Sequence, residues 1–217
     1  MRARSDGAPG EPKRTLRILA VSDEEAPCYY DYYTPGRLDE FDLIIACGDL
    51  KRGYLEFLIT MAHCPVCYVH GNHDDALDKD PPGGCICLED RVYVYKGVRI
   101  LGLGGSYRYR DGNHMFTEGQ MAWRIRKLWL QLRRHGGFDI LVTHAPGRGL
   151  GDLDTLAHRG FECFVKLLDR YHPRFFLHGH VHLNYGADIP RVTERDGTTI
   201  INACGYYSFD YDPAGDG

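Results

Sequence analysis

Apolar residues gather into short runs that stop abruptly on polar ones. Leu16 to Ser22, Leu43 to Cys47, Val66 to Val69, Asp139 to Val142 and Phe175 to Leu177 have the length and mainly apolar character of buried strands. Between them the period lengthens. Leu55, Leu58, Ile59 and Ala62 lay a helical stripe on Tyr54 to Ala62. Met121, Ile125, Leu128 and Leu132 lay another on Thr117 to Arg134, with Thr117 as cap and basic residues crowding the C-terminal end. A third helix is predicted over Phe161 to Tyr171. Val92–Tyr95 and Val98–Leu103 turn about Lys96-Gly97, and a last pair near Arg191–Thr193 and Thr198–Asn202 turns about Asp196-Gly197. Parallel strands and hairpins together predict a mixed α/β sandwich. No repeat or linker divides it, so one domain is expected over 15–210, between tails at 1–14 and 211–217.

The places where the runs stop carry the chemistry. Leu16 to Val21 ends in Ser22-Asp23-Glu24-Glu25, Leu43 to Cys47 in Gly48-Asp49, and Val66 to Val69 in His70-Gly71-Asn72-His73-Asp74. The later two end in Thr143-His144-Ala145-Pro146 and His178-Gly179-His180-Val181-His182. Any one of these is an ordinary strand followed by a polar turn. Five together set Asp, Asn and His at the carboxyl ends of strands, where open α/β sheets bind ligands. Such a donor set suits borderline or hard divalent ions, Mn²⁺, Fe²⁺ or Zn²⁺.

In this order the motifs Asp23, Gly48-Asp49, Gly71-Asn72-His73-Asp74, His144 and Gly179-His180-Val181-His182 resemble the calcineurin-like metallophosphoesterase superfamily, from about Leu16 to Asn202-Ala203. The resemblance implies a four-layer αββα sandwich in which two mixed sheets lie between helices. It also implies a centre for two divalent ions, manganese first, with iron, zinc or magnesium as the alternatives. One ion takes Asp23, Glu25, Asp49 and His182. The other takes Asp49, Asn72, His144 and His180, with Asp49 shared. A water between two such ions, with its pKa lowered, attacks a phosphodiester or small phosphate ester. His73 then stabilises or protonates the leaving oxygen, and Asp74 orients its ring. The alternatives are a protein phosphatase of the same fold, or a scaffold that has lost the chemistry.

One position departs from the family pattern: Glu25 stands where the superfamily usually has His. Residues two apart at a strand end point the same way, which lets Glu25 reach the Asp23 site. A third carboxylate lowers the formal charge of two divalent ions and their ligands from about +2 to about +1, so an alkaline-shifted optimum and a preference for Mn²⁺ or Mg²⁺ are expected. The alternative is that Glu25 points away and water or Glu24 completes the sphere. For substrate, Tyr107, Arg108 and Arg110 interleave aromatics with cations after Gly104-Gly105, and Arg148 and His158 follow His144. These could grip phosphate and stack a base, or form a solvated rim.

Composition narrows the partners. At 43% hydrophobic and 26% charged the chain builds a full core, and a net charge of −4 gives no global basic field for nucleic acid. No stretch is long enough to span a bilayer, and residues 1–14 lack the apolar region of a secretory signal. Eight cysteines include Cys64-Pro65-Val66-Cys67, but without a second pair at zinc spacing they read as small buried hydrophobes in a reducing cytoplasm.

Overall fold

The computed structural model describes residues 15–185 and 189–213; the expected tail at 1–14 and residues 214–217 lie outside these. Strands β1 (Leu16–Ser22), β2 (Leu43–Ala46), β3 (Val66–Tyr68) and β4 (Ile86–Cys87) run parallel in one sheet. In the second sheet β5 (Arg91–Tyr95) and β6 (Val98–Leu103) form the expected hairpin, and β7 (Ser106–Tyr107) and β8 (Met115–Phe116) pair beyond it as a separate clip. The second sheet continues with β9 (Ile140–Thr143) and β10 (Phe175–His178), which together with β6 and β12 (Thr198–Asn202) are mutually parallel. β11 (Val192–Arg195) caps it antiparallel, and β13 (Gly205–Tyr211) caps the first sheet antiparallel to β1.

Two-residue alternation builds the layers. Ile18 and Ala20 of β1 face inward with Ile45, Cys67, Ile100, Val142, Leu177 and Phe209, a core drawn from both sheets. Leu19 and Val21 face the other way, onto α1 (Arg52–Met61) through Tyr54, Leu55 and Leu58. On the far side Leu101, Leu141, Phe176 and Ile200 meet α2 (Glu118–Lys127), α3 (Trp129–His135) and α4 (Glu162–Tyr171) through Met121, Leu132, Phe164 and Leu168. The order helix, sheet, sheet, helix is the four-layer sandwich. Strands buried on both faces must be apolar throughout, which is why their ends were sharp in the sequence.

Two expectations shift. The helix expected over Thr117 to Arg134 is two. Thr117 caps α2 with a capping box shared with Gln120. At Leu128 the chain tightens into a bond to Ile125 O, and α3 restarts from there. The step keeps both Leu128 and Leu132 buried. Strand β13 had no apolar run to announce it. Gly205-Tyr-Tyr-Ser-Phe-Asp-Tyr211 alternates, with Phe209 and Tyr211 inward and Tyr206 exposed. It carries ordered structure to Tyr211, in register with Leu16.

Candidate metal centre

All the parallel strands point their carboxyl ends to one edge, and the chain must reverse there at close quarters. Asp23, Asp49 and His180 do so in the left-handed region, at φ of 63°, 55° and 67°, a conformation that non-glycine residues hold only where surrounding contacts impose it. The contacts are visible. Asp23 N donates to Gly48 O, His180 N to the Asp23 carboxylate at 2.9 Å, and Asp49 N to Asp74 Oδ2 at 2.8 Å. Gly71 passes so close that a Cβ there would overlap the Asp49 carboxylate. Gly71→Ala is therefore expected to destabilise by about 1–3 kcal/mol, lowering the melting temperature in calorimetry. An unchanged transition would mean that Asp49 has room to retreat.

Hydrogen-bond partners fix the imidazole tautomers. His144 Nδ1 donates to Cys47 O at 2.8 Å, which leaves Nε2 as a lone pair. His180 Nε2 donates to Ala157 O at 2.7 Å, which leaves Nδ1 as a lone pair. These two bare nitrogens face each other at 3.2 Å, with Asn72 Oδ1 at 3.1 Å and Asp49 Oδ2 at 3.3 Å from His144 Nε2. With both imidazoles neutral, four acceptors converge on one point with no donor among them. Burial opposes a charge on His144, yet Asp49 pushes its pKa up to about 9. Burial and the His144 charge drop His180 to about 3. Burial likewise works against the Asp49 carboxylate, but His144 holds it well below the usual range. A positive charge is required here, and two imidazoles oriented by backbone carbonyls beside a carboxylate and an amide oxygen fit a divalent cation.

The Asp23 side is arranged differently from the two-residue rule. The left-handed turn at Asp23 ends strand alternation, so Glu25 swings to an ion pair with Lys51 at 3.3 Å. Glu24 instead meets His182 Nδ1 at 3.1 Å, while His182 Nε2 lies 4.0 Å from Asp23 Oδ1. Cys204, just past β12, joins Glu24 and His182 as a third potential ligand. Burial raises its thiol to about 11, which keeps it protonated and a poor ligand. Asn202-Ala203-Cys204 is one more apolar strand ending at the same edge; the family resemblance stopped one residue short of it.

His73 is tied to the centre through its amide, which donates to Asp49 Oδ1 at 2.8 Å. Among the described residues the hydrogen bonds of Asp74 go to the backbone, from Asp49 N and Gly71 N, and not to the His73 ring. The ring's neighbour is Arg110, whose Nη2 lies 3.4 Å from Nδ1. Arg108 turns away, its guanidinium bonding Met115 O to close β7 on β8. Tyr107 packs on Phe161 beneath Arg159, and Arg148 is held by Asp152 and Asp154. His158 lies against the rings of His180 and Tyr185. Thus Arg110 and His158 border the centre directly. A cleft of about 320 Å³ opens beside His73 and Asp49, its cations Lys51 and Arg52 each engaged by carboxylates.

A family model described as calcineurin-like phosphoesterase matches residues 12–184. The chain belongs to that family. The calcineurin-like phosphoesterases are hydrolases of phosphoric esters. Among curated relatives, the UPF0046 protein K07C11.7 of Caenorhabditis elegans is 26% identical over 92% of this chain and 71% of its own length. This chain spans only 30% and 41% of two further proteins from that worm. The 3',5'-cyclic adenosine monophosphate phosphodiesterase CpdA of Escherichia coli is 29% identical over 69% of this chain and 57% of its own. The solved structure of TT1561 from Thermus thermophilus superposes with a TM-score of 0.56 at 14% identity, covering 88% of this chain and 90% of that one. That likeness is one of fold.

Proposed function

We propose that this calcineurin-like phosphoesterase hydrolyses a phosphodiester or small phosphate ester with the help of two divalent ions, Mn²⁺ foremost. Asp49, Asn72, His144 and His180 would hold one. Asp23, Asp49 and His182 would hold the other, with Glu24 as the nearer carboxylate in place of Glu25. The observation that carries this reading is the knot of four acceptors at His144 Nε2, bordered by His73. Bound there, such ions supply polarisation of the phosphoryl oxygens and an activated water.

The chain's own groups supply the rest. Arg110 donates to His73 Nδ1, which leaves the proton on Nε2, where it can be given to the departing oxygen. Among the described residues Arg110 is also the cation beside His73 that no carboxylate neutralises, whereas Lys51, Arg52 and Arg148 are all paired. One free cation suits the single charge of a diester better than the double charge of a monoester. The cleft beside His73, with its cations neutralised, suits an uncharged leaving arm. The name of the CpdA relative supports the diester reading. Among the described residues no helix is long and apolar enough to cross a membrane. The eight cysteines are free thiols, which supports a reducing compartment such as the cytoplasm.

The test is hydrolysis of an aryl phosphodiester beside the matching monoester, after chelation and after return of Mn²⁺. Diester turnover that requires the metal and falls about 100-fold in His73→Ala is expected. Turnover of the monoester alone would overturn the diester reading in favour of a phosphatase. No turnover of either by a metal-loaded, folded protein would leave only a scaffold or a highly selective enzyme.

A further inference from the structure

A second group of metal-ligating side chains lies outside this centre: His70, Asp78 and His114, whose ligand atoms all fall within 4.8 Å of one another. His70 lies just past the end of β3 and is buried. Its Nδ1 faces Glu89 Oε1 at 3.4 Å, and the same carboxylate oxygen accepts the His70 backbone amide at 2.8 Å. Arg124 holds the other Glu89 oxygen at 2.5 Å. A carboxylate fixed in this way accepts from Nδ1–H and leaves Nε2 as a lone pair, the arrangement that orients and strengthens a metal-binding imidazole. That Nε2 is buried and has no hydrogen-bond partner. It faces another acceptor, Asp78 Oδ1, at 3.8 Å. His114 completes the set, with Nε2 at 3.1 Å from Asp78 Oδ2 and 4.0 Å from Asp75 Oδ1.

We propose that His70 Nε2, His114 Nε2 and Asp78 hold a transition-metal ion of the zinc class, with Asp75 or water in the fourth position. Two imidazoles, a carboxylate and an open place form a familiar zinc donor set. Bonds of roughly 2.0–2.1 Å in a tetrahedron separate donor atoms by about 3.3 Å; His114 Nε2 lies 3.1 Å from Asp78 Oδ2 and His70 Nε2 3.8 Å from Asp78 Oδ1, so a small turn of the carboxylate brings one oxygen to both. The two rings lie stacked, 3° from parallel at 4.5 Å. Binding therefore tilts His114, on the rim loop, while Glu89 keeps His70 in place. The ion would join the loop after β3, which carries His73, to the loop between β7 and β8, which carries Arg110. Its consequence is to set the distance between His73 and Arg110 from outside the first centre. Binding here does not depend on which ester is cleaved, so it can be read without a turnover assay.

The experiment titrates the chelator-stripped full chain with Co²⁺. Bound metal is counted by elemental analysis, and tetrahedral sites are followed by their visible absorption. Wild type is expected to bind one equivalent more than His114→Ala or Asp78→Asn, with a tetrahedral band that both variants lose. Equal stoichiometry in all three folded proteins would overturn the proposal. If either variant fails to fold, nitrogen NMR of the wild-type imidazoles decides. Addition of Zn²⁺ should shift His70 Nε2 as a metal-bound nitrogen. A resonance that stays that of a protonated nitrogen would show instead an imidazolium paired with Asp78, and no metal site.

Discussion

Asp49→Asn is expected to lower kcat/KM for a phosphodiester by about 10³–10⁴-fold, the loss of roughly 4–6 kcal/mol of transition-state stabilisation. The substitution keeps the shape of the side chain and its acceptor for the His73 amide. It removes the negative charge and points an amide proton, or a weaker neutral oxygen, at the bare nitrogen of His144, 3.3 Å away. Because the proposed arrangement gives Asp49 to both ions, both should weaken together. Metal counted per chain should fall alongside activity, while the thermal transition stays close to that of wild type. A loss below tenfold with full metal content would remove Asp49 from its shared position.

Arg124→Met should destabilise the fold by about 3 kcal/mol, in the range measured when one partner of a buried ion pair is removed. The guanidinium lies on the Phe116 ring and bonds Glu89, Asp90 and the Gly104 carbonyl at once. Methionine replaces the stem but leaves Glu89 facing His70 without its stronger counter-charge. Burial favours the protonated form of Glu89, yet His70 and Arg124 outweigh it and bring its pKa to about 2. A carboxyl depressed in the folded state contributes stability that is complete above its unfolded value, near 4.3. That contribution disappears as pH falls from there through about 2. Urea unfolding at neutral pH and near pH 3 should therefore show the gap between wild type and Glu89→Gln narrowing in acid. A gap independent of pH would mean that Glu89 is not ionised in the folded protein.

The strands that carry the centre were legible because burial on both faces forces each to be apolar and to end sharply. Asp49, Asn72, His144 and His180 could be placed at strand ends for that reason, while their grouping about one ion rested on the family resemblance. Strand β13 was not legible, since it exposes one face and Tyr, Ser and Asp alternate along it without an apolar run. That Glu24 meets His182 while Glu25 pairs with Lys51 hangs on one dihedral, the left-handed Asp23, which long-range bonds with Gly48 and His180 impose. Sequence periodicity assumes that the strand continues there. Arg108 and Arg110 are alike in sequence, and only the pairing of β7 with β8 sends one to Met115 and the other to His73. The chain from His70 through Glu89 to Arg124 joins three separate elements, and no local pattern could have linked them.

The pairing of β1 with β13 sets a problem of timing. Leu16 finds its partner in Tyr211, nearly the full length of the described chain away, so β1 waits for β13 to be synthesised. Until then one backbone edge of β1 stays open, and an unpaired apolar strand edge is a template for association with other chains. Contacts this distant in sequence also slow folding. Assembly of the first sheet should therefore finish late, and a nascent chain halted before Gly205 would expose the strand that carries Asp23.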